Sequence, residues 1–169
     1  MLVDFCQISS NQTQRPKTKK PIAIKLNRND VIYGMEHSTG KNAEDIIIKT
    51  SGLYAIIAAP QVGRVKDGNP KYIDFWFRLN GQDIPNSNVR VSVKSNSSKD
   101  VVTNQTMMPF RAEDIINVMM SVESASDGLG IEALNPKGEP TVPSIIYSMH
   151  LIREWDTMTS KEKPRVGVQ

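Results

Sequence analysis

The sequence predicts an all-β sandwich or jelly roll of about ten short antiparallel strands. Three observations carry this reading. Apolar and polar residues alternate with period two over several runs, and Gly, Pro and Asn clusters separate those runs at regular spacing. No 10-residue stretch sustains an apolar i, i+3, i+4, i+7 pattern without a better strand reading, and no repeat of fixed period is visible.

The centre of the chain is residues 50 to 93. Along Tyr72–Asn80 the odd positions Ile73, Phe75, Phe77 and Leu79 are apolar, whereas Tyr72, Asp74, Trp76 and Arg78 carry polar or amphipathic tips. Asn80-Gly81 marks a tight turn, because both residues tolerate positive φ. Val89, Val91 and Val93 then alternate with Asn88, Arg90 and Ser92. The run before them is apolar on both faces: Leu53, Ala55, Ile57 and Ala59 on one, Tyr54, Ile56 and Ala58 on the other. Such a strand needs two covers, its own core and either a second layer or another subunit.

Around this centre the remaining strands follow in order. Met1–Gln14 holds a weak strand with Leu2, Val3, Phe5 and Ile8. Ile22, Ile24 and Leu26 alternate with Ala23, Lys25 and Asn27. Val31–Glu36 sets Val31, Tyr33 and Met35 on one side, and Ile46–Ile48 leads to Gly52. Val101–Met108 has two faces of similar character, Pro109–Glu113 bends, and Asp114–Val122 buries Ile116, Val118, Met120 and Val122. Leu129–Leu134 follows an Asp127-Gly128 turn. Pro143–Ile152 closes the domain with Ile145, Tyr147, Met149 and Leu151 on one face. Residues 1–152 are read as one domain, with 1–14 as an N-terminal strand or arm and 153–169 as a polar tail. The arms offer Phe5, Ile8 and Trp155 for docking.

At 169 residues and 18.9 kDa the chain is long enough to bury a two-sheet core without metals or disulfides. Its single cysteine, Cys6, cannot form an internal bridge, and the start MLVDFCQISS shows no secretory signal. The longest mostly apolar stretch, Leu53–Pro60, is too short to span a bilayer as a helix. A net charge of +3 does not argue for nucleic acid, and the Arg15–Lys20 cluster, without interleaved aromatics, reads as a solvated loop. The sequons at Asn11, Asn96 and Asn104 read as chance in an Asn/Ser/Thr-rich β protein.

The order of motifs resembles the tumour necrosis factor and complement one-q globular-head superfamily. Ile46-Ile47-Ile48 precedes Ser51-Gly52-Leu53-Tyr54, and Asp74-Phe75-Trp76-Phe77-Arg78-Leu79-Asn80-Gly81 follows. Next comes a degenerate Phe110-Arg111-Ala112-Glu113-Asp114 element, with Glu113 in the family's Gly position, and then Pro143-Ser144-Ile145-Ile146-Tyr147. The resemblance covers roughly residues 8 to 152. It implies a ten-strand jelly roll of two five-stranded sheets, assembling as a compact homotrimer. It also places Tyr54 near the three-fold axis, with Ile56 and Ala58 in the subunit interface.

Chemistry is sparse. The two histidines, His37 and His150, lie far apart, and no HExxH, CxxC, phosphate loop or Gly-x-Ser-x-Gly elbow occurs. Glu44-Asp45 and Glu113-Asp114 are adjacent carboxylates whose side chains would diverge in strands. Asp67-Gly68-Asn69 and Asp127-Gly128 offer too few oxygens for calcium. No catalytic residue, cofactor or metal is therefore expected. Tyr72, Trp76 and Arg78, on the non-core face of their strand, form a partner-binding spot. The expected function is a non-enzymatic trimeric module, a virion component such as a capsid-decorating (cement) protein or fibre head. Its partners are copies of itself and a capsid shell, with no membrane or nucleic acid involved. The alternative is an adhesive head that binds a glycan or surface protein through loops Gly63–Pro70 and Ser124–Gly128.

Overall fold

The computed structural model describes residues 3–155. Fourteen strands and no helix are assigned among them. In chain order they are β1 (Phe5–Ser10), β2 (Ile22–Ala23), β3 (Arg28–Tyr33), β4 (Met35–His37), β5 (Ile46–Ile48), β6 (Gly52–Gly63) and β7 (Lys71–Leu79). There follow β8 (Gln82–Asp83), β9 (Val89–Val93), β10 (Asp100–Val101), β11 (Asn104–Phe110), β12 (Ile115–Val122), β13 (Gly130–Ile131) and β14 (Ile145–Glu154). They build two antiparallel sheets packed as a sandwich. The first runs β3-β1-β14-β6, with β11, β10 and β13 also paired to β6. The second runs β4-β5-β12-β7, with β8 and β9 paired to β7 and β2 to β12.

Alternation fixes the core as expected in the long strands. Ile73, Phe75 and Phe77 from β7, Ile116, Val118, Met120 and Val122 from β12, and Ile145, Tyr147, Met149 and Leu151 from β14 are all buried. One polar tie crosses this core. Asn104 of β11 donates from Nδ2 to the carbonyls of Phe75 (3.2 Å) and Ser87 (2.9 Å), satisfying a buried amide between the sheets. Its burial closes that sequon to glycosylation, whereas Asn11 and Asn96 are exposed.

Strand β6 is the first correction. Tyr54, Ile56 and Ala58 are 0% exposed within a single chain, so they cannot face a neighbouring subunit. They pair with Leu151, Met149 and Tyr147 of β14 and point with them into the sandwich. The reason is partly polar. The Tyr54 hydroxyl donates to the Thr50 carbonyl (2.7 Å) and to Asp4 Oδ2 (3.1 Å), while its ring meets Phe110 edge-on at 5.7 Å. The outward face is the other one: Leu53, Ala55, Ile57 and Ala59.

The N-terminal segment is the second. Phe5–Ser10 is an interior strand, paired on one side with β14 and on the other with β3. Ile8 is fully buried and cannot dock anything, and Phe5 stacks on Tyr33 at 6.0 Å. Buried Cys6 has its thiol pushed up to about 12, chiefly by burial. At the other terminus β14 reaches Glu154, and Trp155 donates its backbone N–H to Ser51 (3.0 Å). Residues 156–169 of the expected tail lie outside the described residues.

The expected strand 31–36 is divided. Val31 and Tyr33 are exposed on β3 in the first sheet, whereas Met35 is buried on β4 in the second. Gly34, at φ +72°, makes the crossing, and a Cβ there would run into the Asp4 side chain. Gly34→Ala should therefore destabilise the fold by about 2–4 kcal/mol, combining a left-handed penalty with overpacking. A urea midpoint equal to that of the unmodified chain would contradict this.

Candidate functional site

Two outward faces remain once the core is filled, and they differ in chemistry. On the first sheet, cross-strand register sets Phe5 beside His150, His150 beside Ala55 and Ala55 beside Met107. The next row is Gln7, Ser148, Ile57 and Gln105. Ile57 is 39% exposed, Met107 64% and Ile152 46%, with Val31 and Tyr33 exposed at the β3 edge. This face mixes exposed apolar side chains with the polar His150, Gln7, Ser148 and Gln105.

The second sheet presents Tyr72, Trp76 and Arg78, the three residues singled out from the alternation, on one outward face of β7. The Asn80–Gly81 turn organises them. Both residues take positive φ (49° and 80°), which folds β8 back so that Asp83 pairs with Arg78. One Asp83 oxygen, Oδ1, then accepts from both Trp76 Nε1 and Arg78 Nε, each at 2.7 Å. Asp83 is held below the usual carboxylate range by the Arg78 guanidinium and, secondarily, by the indole N–H. Asn80 also locks the turn to the next hairpin. It donates to Asp114 Oδ1 (2.7 Å) and accepts from the backbone of Ile115 (2.8 Å).

A second ion pair lies one register step away. Arg90 of β9 stands opposite Asp74 and donates to both of its oxygens at 2.9 Å, a bidentate, charge-assisted pair. The guanidinium lies 3.7 Å over the Tyr72 ring, and Asn88 adds a 3.3 Å bond to Asp74. Asp74 holds the Arg90 guanidinium more firmly protonated. Asp74, Asp83, Asn88 and Arg90 are the members that sequence reasoning missed as a site. The even spacing of Asp74, Trp76 and Arg78 signals part of the group, but Asp83 and Arg90 join only through strand register.

The loops Gly63–Pro70 and Ser124–Gly128 are tied to one another. Asp127 accepts from the backbone of Val65 and Lys66 (both 3.1 Å), and buried Arg64 donates to the carbonyls of Asn69 (2.9 Å) and Val93 (3.2 Å). Among the described residues, no three His, Cys, Asp or Glu side chains converge as a metal-holding group. Glu44-Asp45 and Glu113-Asp114 do not pair as carboxylates. Asp45 accepts from Asn117 (2.7 Å) and Glu113 from Lys49 (2.8 Å).

Because Asp83 is depressed in the folded state, its charged form stabilises the fold above the unfolded carboxylate value, and that contribution is lost as pH falls through the folded one. In an acid titration followed by proton–nitrogen NMR, the Trp76 indole resonance should shift with a midpoint below 3.8. A midpoint at or above that value would place Asp83 outside the Trp76–Arg78 pair. No family model matches the chain, nor does any curated protein at a significant level.

Proposed function

We propose that this chain is a non-enzymatic interaction module of the tumour necrosis factor and complement one-q globular-head type. On this reading it is a jelly roll that works as a homotrimer within a larger protein assembly, such as a virion with a capsid shell. The carrying observation is the outer face of the first sheet, where Ile57, Met107 and Ile152 stand exposed around Ala55 and Ala59. Large apolar side chains exposed together on one sheet face point to an association surface. Covering it gains ~25 cal/mol per Å² of apolar area removed from water. The flat alanines allow close approach of a second backbone.

The strand order supports the jelly-roll part of the reading. β3, β1, β14, β6 and β11 form one five-strand path, and β4, β5, β12, β7 and β9 form the other. Glu113, in the family's glycine position, takes φ +70°, a backbone state that glycine would adopt more easily. In a capsid-decorating or fibre-head role, such a trimer would turn its second sheets, and with them Trp76, away from the shared centre.

Light scattering tests the assembly. Three copies of the 18.9 kDa chain give about 57 kDa. Ile57→Arg, which places charge on the outward face, should yield a folded single chain. Tyr54→Arg, which buries charge in the core, should fail to fold. A monodisperse single-chain mass for the unmodified protein would overturn the trimer.

A further inference from the structure

We propose that the shallow cleft beside Trp76 is a binding site for a neutral saccharide. The cleft measures about 330 Å³ and is lined by Asp74, Trp76, Asp83, Asn86, Asn88 and Ser121, with Ile84 at its side. That volume is at the lower end of the ~300–1,000 Å³ usual for small-molecule sites. The inference concerns a single chain and does not depend on the trimer.

The platform comes first. Trp76 spends its one polar group on Asp83, which fixes the plane of the indole and leaves its half-buried ring face as the surface on offer. An aromatic face carries partial negative charge and attracts the weakly positive C–H groups of a ring laid over it. A pyranose has such a C–H face.

Electrostatics then narrow the ligand class. Both carboxylates are already engaged, Asp74 by Arg90 and Asp83 by Arg78. The formal charges of these four side chains cancel. With no net charge in the group, long-range attraction selects neither cations nor anions, and an uncharged ligand meets no opposing field.

The spare hydrogen-bonding groups fit hydroxyls. Among the described residues, the side chains of Asn86 and Ser121 make no hydrogen bond, and Asn88 uses only its Nδ2 and Asp83 only its Oδ1. Two amides, a hydroxyl and a carboxylate oxygen therefore offer both donors and acceptors around the indole, as a ring of sugar hydroxyls requires. Their backbone positions are set before any ligand arrives. Ser121 stands opposite Asp74 in register. Asn86 sits at φ +60° in a turn braced by Ser87, whose hydroxyl donates to the Ile84 carbonyl (2.8 Å) and accepts from Phe77 N–H (3.1 Å). Such preorganisation lowers the ordering cost of binding.

The test is a glycan array carrying neutral, sialylated and sulfated glycans, probed with the full chain and followed by calorimetry on the neutral hits. At least one neutral glycan should bind. Trp76→Ala should weaken it by about tenfold, the scale of one lost ring contact, and Trp76→Phe should retain most of the affinity. Asn86→Ala, on an exposed turn, should weaken it by about threefold through a lost hydrogen bond and carries the test alone if Trp76→Ala fails to fold. The proposal falls if no neutral glycan binds, if only charged glycans bind, or if neither the Ala variant at 76 nor that at 86 weakens binding.

Discussion

The structure depends on a single constraint: β6 is hydrogen-bonded along both edges but covered on only one face. Its edges are taken by β14 on one side and by β11 and β10 on the other. Once both edges are fixed, period-two alternation leaves no freedom in which residues point inward, and a one-residue slip would exchange the whole set. Tyr54 decides the choice. Its hydroxyl has buried partners only on the inner side, where Asp4 and the Thr50 carbonyl wait, and turning it outward would strand them. The outer face is what remains.

The second sheet obeys a related logic, with turns in place of a central strand. Asn80 reaches across to Asp114, and Asp114 accepts from the backbone of Arg111 (2.7 Å), so two hairpin ends share one polar junction. Glu113 lies inside that junction in a left-handed conformation, and its backbone N–H donates to Ile48 (2.7 Å). A non-glycine residue there costs about 1–2 kcal/mol. The ion pair to Lys49 offsets only part, since it is well exposed. The Asn80-Gly81 turn also carries Asp83 into place beside Trp76 and Arg78.

How much of this was legible in the sequence varies with the kind of signal. Strand β14 alternates cleanly, and its inward set appears in the fold as read. Strands β7 and β12 bury their expected apolar sets too, but β7 also buries Asp74 and β12 also buries Asn117 and Met119 on the opposite face. The Asn80-Gly81 turn was equally clear, because few dipeptides accept two positive φ values. For β6 the pattern was silent, since both faces are apolar and only the hydroxyl of Tyr54 separates them. The resemblance to trimeric globular heads assigned that tyrosine to an axis, whereas local hydrogen bonding assigns it to the core. Phe5 and Ile8 looked like an arm because Met1–Gln14 is short and weakly patterned. Pairing on both sides, which a linear reading does not contain, makes that segment interior. Trp76 was visible as an exposed aromatic. Its partners Asp83 and Arg90 were not, because strand register, not sequence distance, brings them together.

The rims of the first sheet carry a last implication. β3 ends the sheet with exposed Arg28 and Asp30, and β11 ends it with a strand containing Pro109, which has no N–H to give. Both rims thus resist extension by a further strand. Copies of this chain that meet through the first sheet must meet broadside, surface against surface, which favours closed clusters of a few subunits over open-ended ribbons.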